Sequence, residues 1–190
     1  APQTAEPREY ALERHTLHMG TLINAKLFGA TPEAVKHYAI VFEDKVTDYD
    51  DLMSVHKDTP LNEVNRRAGE PVEVPCEIAD MTKQALAIAD ETNGAFEPMI
   101  GPVVNLWKIG FGGEHVPSDE AIAEAVSKVD RSKVRVWREG GRCMMQIAKG
   151  QSIDMGAIAK GFIGQRLSDI LKHEGMTRGV LDLGGNIVAV

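Results

Sequence analysis

The run Ser152-Ile153-Asp154-Met155-Gly156-Ala157-Ile158-Ala159-Lys160-Gly161-Phe162 constrains this chain more than any other stretch. It reads as a short strand that passes through a tight turn into a helix beginning near Gly156. The free amides of a helix's first turn carry the positive end of its dipole. With Lys160 beside them they form a seat for a phosphate or pyrophosphate. Asp154 adds an acceptor for a ribose hydroxyl, an amide or a metal-bound water. Taken alone, Lys160 reads by default as a solvated lysine, so the rest of the chain has to decide.

A length of 190 residues allows one large domain or two small ones with a sizeable core. The net charge of -7 argues against nucleic acid or an anionic membrane as the main partner, though a local cationic pocket remains open. No apolar run is long enough to span a bilayer. Cys76 and Cys143 lie far apart without metal-ligand spacing and are read as two buried or idle thiols. The histidines are scattered, and His15 and His18 share no helix or strand face, so no zinc site is expected.

Residues 1 to 9 are a polar, proline-containing tail, read as disordered or loosely docked; residues 10 to 190 form the domain. Tyr10 to Phe28 is extended and interrupted at His18-Met19-Gly20-Thr21, where Gly20 marks a bulge or a close ligand approach. Thr31-Pro32-Glu33 starts a helix whose buried stripe is Val35, Tyr38, Ala39, Phe42 and Val46. That helix is expected to end at Asp48 to Asp51, a solvated acidic loop, followed by a strand from Leu52 to His56.

Further along, a small helix spans Leu61 to Ala68, and Val72-Glu73-Val74 alternates as a strand. Pro75 opens a helix lined by Ile78, Met81, Ala85 and Ile88 and closed by Asn93-Gly94. Gly94 to Trp107 holds two glycines, two prolines and several large apolar residues, and reads as a rigid, partly buried loop. Lys108 to Gly113 reads as a mobile continuation. Ser118 caps a helix from Asp119 to Val129, and a hairpin turns at Glu139-Gly140-Gly141. The central helix runs to about Glu174 with Ile158, Phe162, Leu167, Ile170 and Leu171 inward. Gly179 to Leu183 is a buried strand broken by Gly184-Gly185-Asn186, and Ile187 to Val190 begins another. A chain that stops on an apolar strand is expected to be incomplete or completed by another chain.

No Walker loop, Gly-x-Gly-x-x-Gly or Gly-x-Ser-x-Gly motif is present, which leaves the usual nucleotide motifs and the serine hydrolases without support. The double glycine at 184 and 185 is, alone, better explained by close backbone packing. The series is more specific than its parts. Met19-Gly20-Thr21, Gly94-Ala95-Phe96-Glu97-Pro98 leading to Gly101 through Trp107, Ile153 through Gly161, and Asp182-Leu183-Gly184-Gly185-Asn186 follow one another in order. This series resembles the ApbE family of flavin transferases, also called FAD:protein FMN transferases, from about residue 15 to 190.

The resemblance implies an α+β fold, with mixed or antiparallel sheets flanked by helices and FAD between two lobes. It also implies Mg2+-dependent cleavage of FAD, with FMN moved to a threonine hydroxyl of a partner protein and AMP released. Carried over by position, Met19, Gly20, Thr21, His56, Ala95, Phe96, Glu97, Asp154, Lys160, Gly184, Gly185 and Asn186 would contact the cofactor. Asp154 and Lys160 would serve the reaction, and the carbonyl of Ala157 would be a metal ligand. Kinship also suggests a mature exported protein of the periplasm or cell envelope.

There are departures from the family pattern. Glu97-Pro98-Met99 stands where it has Asp-Pro-Thr, and Gln165 where it has an aspartate. The family's remaining metal carboxylate, a threonine ligand and a histidine would lie beyond Val190, so a chain ending there is expected to show weak transfer or none. Alternatives therefore stay open: an FAD-holding or scavenging protein, an FAD pyrophosphatase giving FMN and AMP, or an anion-binding scaffold without flavin.

Overall fold

The computed structural model describes residues 9–54, 57–108, 112 and 115–190. Its described residues divide into two compact units, 1–57 with 159–190 and 58–158. Each unit carries an antiparallel sheet with helices, which makes the chain α+β.

In the first unit, β1 (Tyr10–His18) and β2 (Thr21–Gly29) pair along their whole length, His18 opposite Thr21. The connection is therefore the two residues Met19 and Gly20, with φ of 52° and 68°. A two-residue loop with positive φ at both positions matches the right-handed twist of the strands it joins. Gly20 thus makes a hairpin turn and not the expected bulge. β6 (Gly179–Leu183) pairs with β2, and β7 (Asn186–Ala189) pairs with β6, giving the order β1-β2-β6-β7.

Helix α1 (Pro32–Met53) is capped by Thr31, whose hydroxyl accepts from the Ala34 amide at 3.1 Å. Its expected stripe is buried in full: Val35, Tyr38, Ala39, Phe42 and Val46. Large apolar side chains of this kind each stabilise by roughly 1.5–3 kcal/mol when removed from water. The helix does not end at the acidic cluster. It continues because Tyr49, Asp50 and Met53 extend the same buried face, and Asp50 is only 5% exposed. Leu52 and Met53 are therefore helical, not a strand, and Ser54 caps the end. Val55 and His56 of the expected strand lie outside the described residues.

Helix α6 (Ala159–His173) buries Phe162, Ile163, Leu167 and Leu171, with Ile158 and Ile170 half-buried, and Gly175 follows it at φ 98°. It begins three residues later than expected. The Gly156 amide is taken by the Asp154 side chain, and Ile158 bonds back to Met155, so 156–158 form a turn ahead of the helix.

In the second unit, β3 (Val72–Val74), β5 (Arg142–Gln146) and β4 (Arg135–Glu139) form a sheet in the order β3-β5-β4. Helix α2 (Pro60–Arg66) precedes it, α3 (Cys76–Glu91) packs against it, and α5 (Asp119–Ser127) is capped by Ser118. On α3, Ala89 is buried and Ile88 only half-buried. The segment read as a rigid loop is helical: a 3-10 turn at Pro98–Ile100 runs into α4 (Gly101–Trp107). Both prolines occupy first-turn positions, where the missing N–H costs nothing. Of the continuation expected to be mobile, 109–111 and 113 lie outside the described residues.

The two cysteines are not idle thiols. Cys76 and Cys143 form a disulfide between the start of α3 and β5. The pair is explained by register: Cys143 stands opposite Val74, two residues before Cys76.

Candidate functional site

Within the first unit, three of the motifs read from the sequence come together at one end of the sheet. The Met19-Gly20 turn enters β2 at Thr21, and Leu183, which ends β6, lies opposite Ile23. The Gly184-Gly185 turn is thus brought beside Thr21. A Cβ on Gly184 would lie 2.5 Å from Thr21 Oγ1 and 2.9 Å from its Cγ2, so only a bare backbone fits there. Gly184 and Gly185 have φ of 62° and 93°, and the Gly185 amide donates to Asp182 Oδ1 at 2.7 Å. The remaining Asp182 oxygen accepts from Asn24 Nδ2 at 3.4 Å.

The third motif enters through α6. A Cβ on Gly161 would stand 4.0 Å from Asn186 Nδ2, and one on Gly164 would stand 2.8 Å from Val188 Cγ2 and 3.8 Å from Asn186 Nδ2. The small residues let the first turns of α6 lie against β7. Lys160, the second residue of that helix, is half-buried and has no ion-pair partner among the described residues. A lysine left without a carboxylate at a helix N-terminus is chemically suited to an anion. Met19, Gly20, Thr21, Lys160, Gly184, Gly185 and Asn186 therefore belong to one unit, and His56 lies outside the described residues.

Sequence reasoning missed the group that holds this turn. Asp50 Oδ1 accepts from the Met19 amide at 2.7 Å, and Oδ2 lies 3.2 Å from His18 Nδ1 and 2.6 Å from Lys57 Nζ. Burial pushes the Asp50 carboxyl up, but donation from Lys57, His18 and the Met19 amide outweighs it and lowers the pKa to about 2. The signal was present: Asp50 is four residues after Val46, on the buried stripe of α1.

In the second unit, the Glu97 to Gly101 and Ser152 to Asp154 blocks touch. The Asp154 amide donates to the Pro98 carbonyl at 2.8 Å, and a Cβ on Gly101 would run into the backbone of Ser152. Asn65 grips Ile153 from α2. Asp154 Oδ1 accepts from Gly156 at 2.7 Å, which bends the chain before Ala157. Glu97 Oε1 caps the Met99 amide at 3.0 Å while Oε2 pairs with Arg131 at 2.9 Å, so its carboxylate is engaged in holding the turn. Ala95 is exposed, Phe96 is half-buried, and both amides bond to Thr92.

For a metal, the resemblance offers the Ala157 carbonyl. Among the described residues no group of three or more His, Cys, Asp or Glu could hold one. A single carbonyl does not make an Mg2+ site by itself, since that ion takes six oxygens.

Comparison with known proteins identifies the family of the chain. The model of the ApbE family matches residues 19–190. The chain is 34% identical over 193 residues to a Treponema pallidum protein named FAD:protein FMN transferase, covering 98% of this chain and 53% of that one. A Klebsiella pneumoniae protein of the same name is 33% identical over 141 residues, covering 73% of this chain and 44% of its own length. The chain thus spans about half the length of the curated relatives it matches. Among solved structures, the flavin transferase ApbE from Vibrio cholerae superposes with a TM-score of 0.80 at 25% identity, covering 96% of this chain and 59% of that one. The apo flavinyl transferase ApbE of Pseudomonas stutzeri gives a TM-score of 0.83 at 22% identity, covering 95% and 59%, and shares the fold. By its matched sequence, this chain belongs to the ApbE family.

Proposed function

We propose that the chain binds FAD and, with Mg2+, serves the transfer of FMN to a threonine hydroxyl of a partner protein, releasing AMP. The observation that carries this reading is Lys160: a half-buried lysine in the first turn of α6, without an ion-pair partner among the described residues and next in sequence to Gly161, which lies near Asn186. The names of the relatives, FAD:protein FMN transferase, support it.

In the reaction, the threonine oxygen attacks the phosphorus on the FMN side of the pyrophosphate. The bond to the AMP phosphate breaks, and the hydroxyl proton is lost. Such a step depends mainly on positioning and on neutralising charge. Lys160 would offset the charge on the phosphates as it builds. The glycines at 184 and 185 would let the backbone approach the cofactor, and Met19 would lie against the flavin. Asp154 would accept from a ribose hydroxyl or a metal-bound water. Bound Mg2+ would supply further charge neutralisation, with the Ala157 carbonyl as one of its oxygens.

The Cys76–Cys143 disulfide supports a place for the protein outside the cytoplasm, in the periplasm or cell envelope, because such bonds persist in oxidising compartments.

Incubation of the chain with FAD, MgCl2 and a threonine-bearing acceptor peptide, followed by mass measurement, tests the function. A peptide gaining the mass of FMN less water supports transfer. Free FMN and AMP indicate a pyrophosphatase, intact bound FAD indicates a holding protein, and FAD left in solution removes flavin from the reading.

A further inference from the structure

We propose that Asp50 is a positioning residue for the flavin site, fixing the Met19-Gly20 turn through the Met19 amide. The inference rests on the flavin reading given above. Met19 has a φ of 52°, a left-handed conformation that a residue with a Cβ resists. Two-residue turns of this kind favour Asn, Asp or Gly, so a methionine at the first position needs outside help. The help comes from across the unit. Asp50 Oδ1 accepts from the Met19 N–H at 2.7 Å, 31 residues away in sequence.

The carboxylate is itself held from all sides. His18, the residue before the turn, approaches Oδ2 at 3.2 Å, and Lys57 reaches the same oxygen at 2.6 Å while bonding Asp51 at 2.7 Å. Asp50 is 5% exposed and occupies a position on α1 where every other inward residue is apolar or aromatic. An apolar side chain would fill that space but leave the Met19 amide without its acceptor. The arrangement is what a site needs when a flexible thioether must present one face: a rigid support behind the contact residue. The same oxygen joins the turn to Lys57, so one buried charge ties the hairpin to the chain that follows α1.

The test is an FAD titration followed by flavin fluorescence, with an amide-resolved NMR measurement on the wild-type chain. Asp50→Ala is expected to weaken FAD binding by about ten-fold or more. Asp50→Asn keeps an oxygen for the Met19 amide and is expected to stay within about three-fold of wild type. Val46→Ala, which removes core volume one turn earlier on α1, is expected to lower the melting temperature while leaving FAD affinity unchanged. That separates positioning from general loss of stability.

Wild-type FAD affinity in Asp50→Ala, or an equal loss in Val46→Ala, would overturn the inference and leave the flavin reading standing. On wild-type chain, added FAD is expected to move the Met19 amide resonance. FAD that binds without moving it overturns the inference however Asp50→Ala folds. A wild-type chain that takes up no FAD overturns the flavin reading and the inference together.

Discussion

The side chain of Asn65 pairs with the backbone of Ile153 in both directions: the Ile153 amide donates to Oδ1 at 2.8 Å, and Nδ2 donates to the Ile153 carbonyl at 3.0 Å. The two residues are 88 positions apart. Asn65 bonds Ile153 as a neighbouring strand would, and it fixes the chain just before Asp154. Removing it leaves a donor and an acceptor without partners. Asn65→Ala is expected to lower stability by about 1–3 kcal/mol in urea unfolding. Asn65→Asp, which can accept but not donate, should fall between alanine and wild type.

At the Gly184-Gly185 turn, two neighbouring glycines should respond differently. Alanine at Gly184 must adopt a φ of 62° and meets Thr21 Oγ1 at 2.5 Å. Alanine at Gly185 has the same backbone difficulty but nothing within 4 Å. Gly185→Ala should cost about 1 kcal/mol, and Gly184→Ala about 2–3 kcal/mol. Adding Thr21→Ala should recover part of the Gly184→Ala loss but not its backbone share. Equal losses at the two glycines in chemical denaturation would contradict the close packing of Thr21 on the turn.

The disulfide closes a loop with a sequence separation of 67. On chain-entropy grounds its removal should destabilise the protein by up to about 4 kcal/mol. The Cys76→Ala/Cys143→Ala double variant, unfolded in urea, should therefore have a lower midpoint than wild type. Dithiothreitol should shift the wild type toward the variant and leave the variant itself unmoved.

Asp50 gives the protein an acid limb with a definite sign. Its folded pKa is lowered from 3.8 to about 2. The unfolded chain therefore binds this proton more readily than the folded one as the pH falls. The stabilisation is complete above the unfolded value and disappears as pH drops from about 4 through about 2. Its size is about 2 kcal/mol. Urea midpoints measured across this range should fall in the wild type and vary less in Asp50→Asn.

Much of the fold was legible because the signals were local. The Thr31 and Ser118 caps, the α1 stripe and the Gly140-Gly141 hairpin each depend on a few adjacent residues, and each appears where the sequence placed it. The misses share a cause: a distant partner changed the meaning of a local pattern. Asp50 looked solvated because the acidic run around it is polar, whereas Lys57, His18 and the Met19 amide make its burial tolerable. The cysteines looked idle because register between β3 and β5, not spacing, brings them together. The prolines at 98 and 102 looked like loop residues because a helix start and a rigid loop ask for the same residue. At the site, the motifs could be read individually, but the seating of Thr21 on Gly184 and of α6 on Asn186 needed the sheet.

Lys160 carries the proposed chemistry, and its removal is the most direct test. Equilibrium titration of FAD against the wild type and Lys160→Ala, read by flavin fluorescence, should show a dissociation constant raised about ten-fold or more in the variant at unchanged melting temperature. Equal FAD affinity in the two proteins would contradict the placement of the cofactor's phosphates at the first turn of α6.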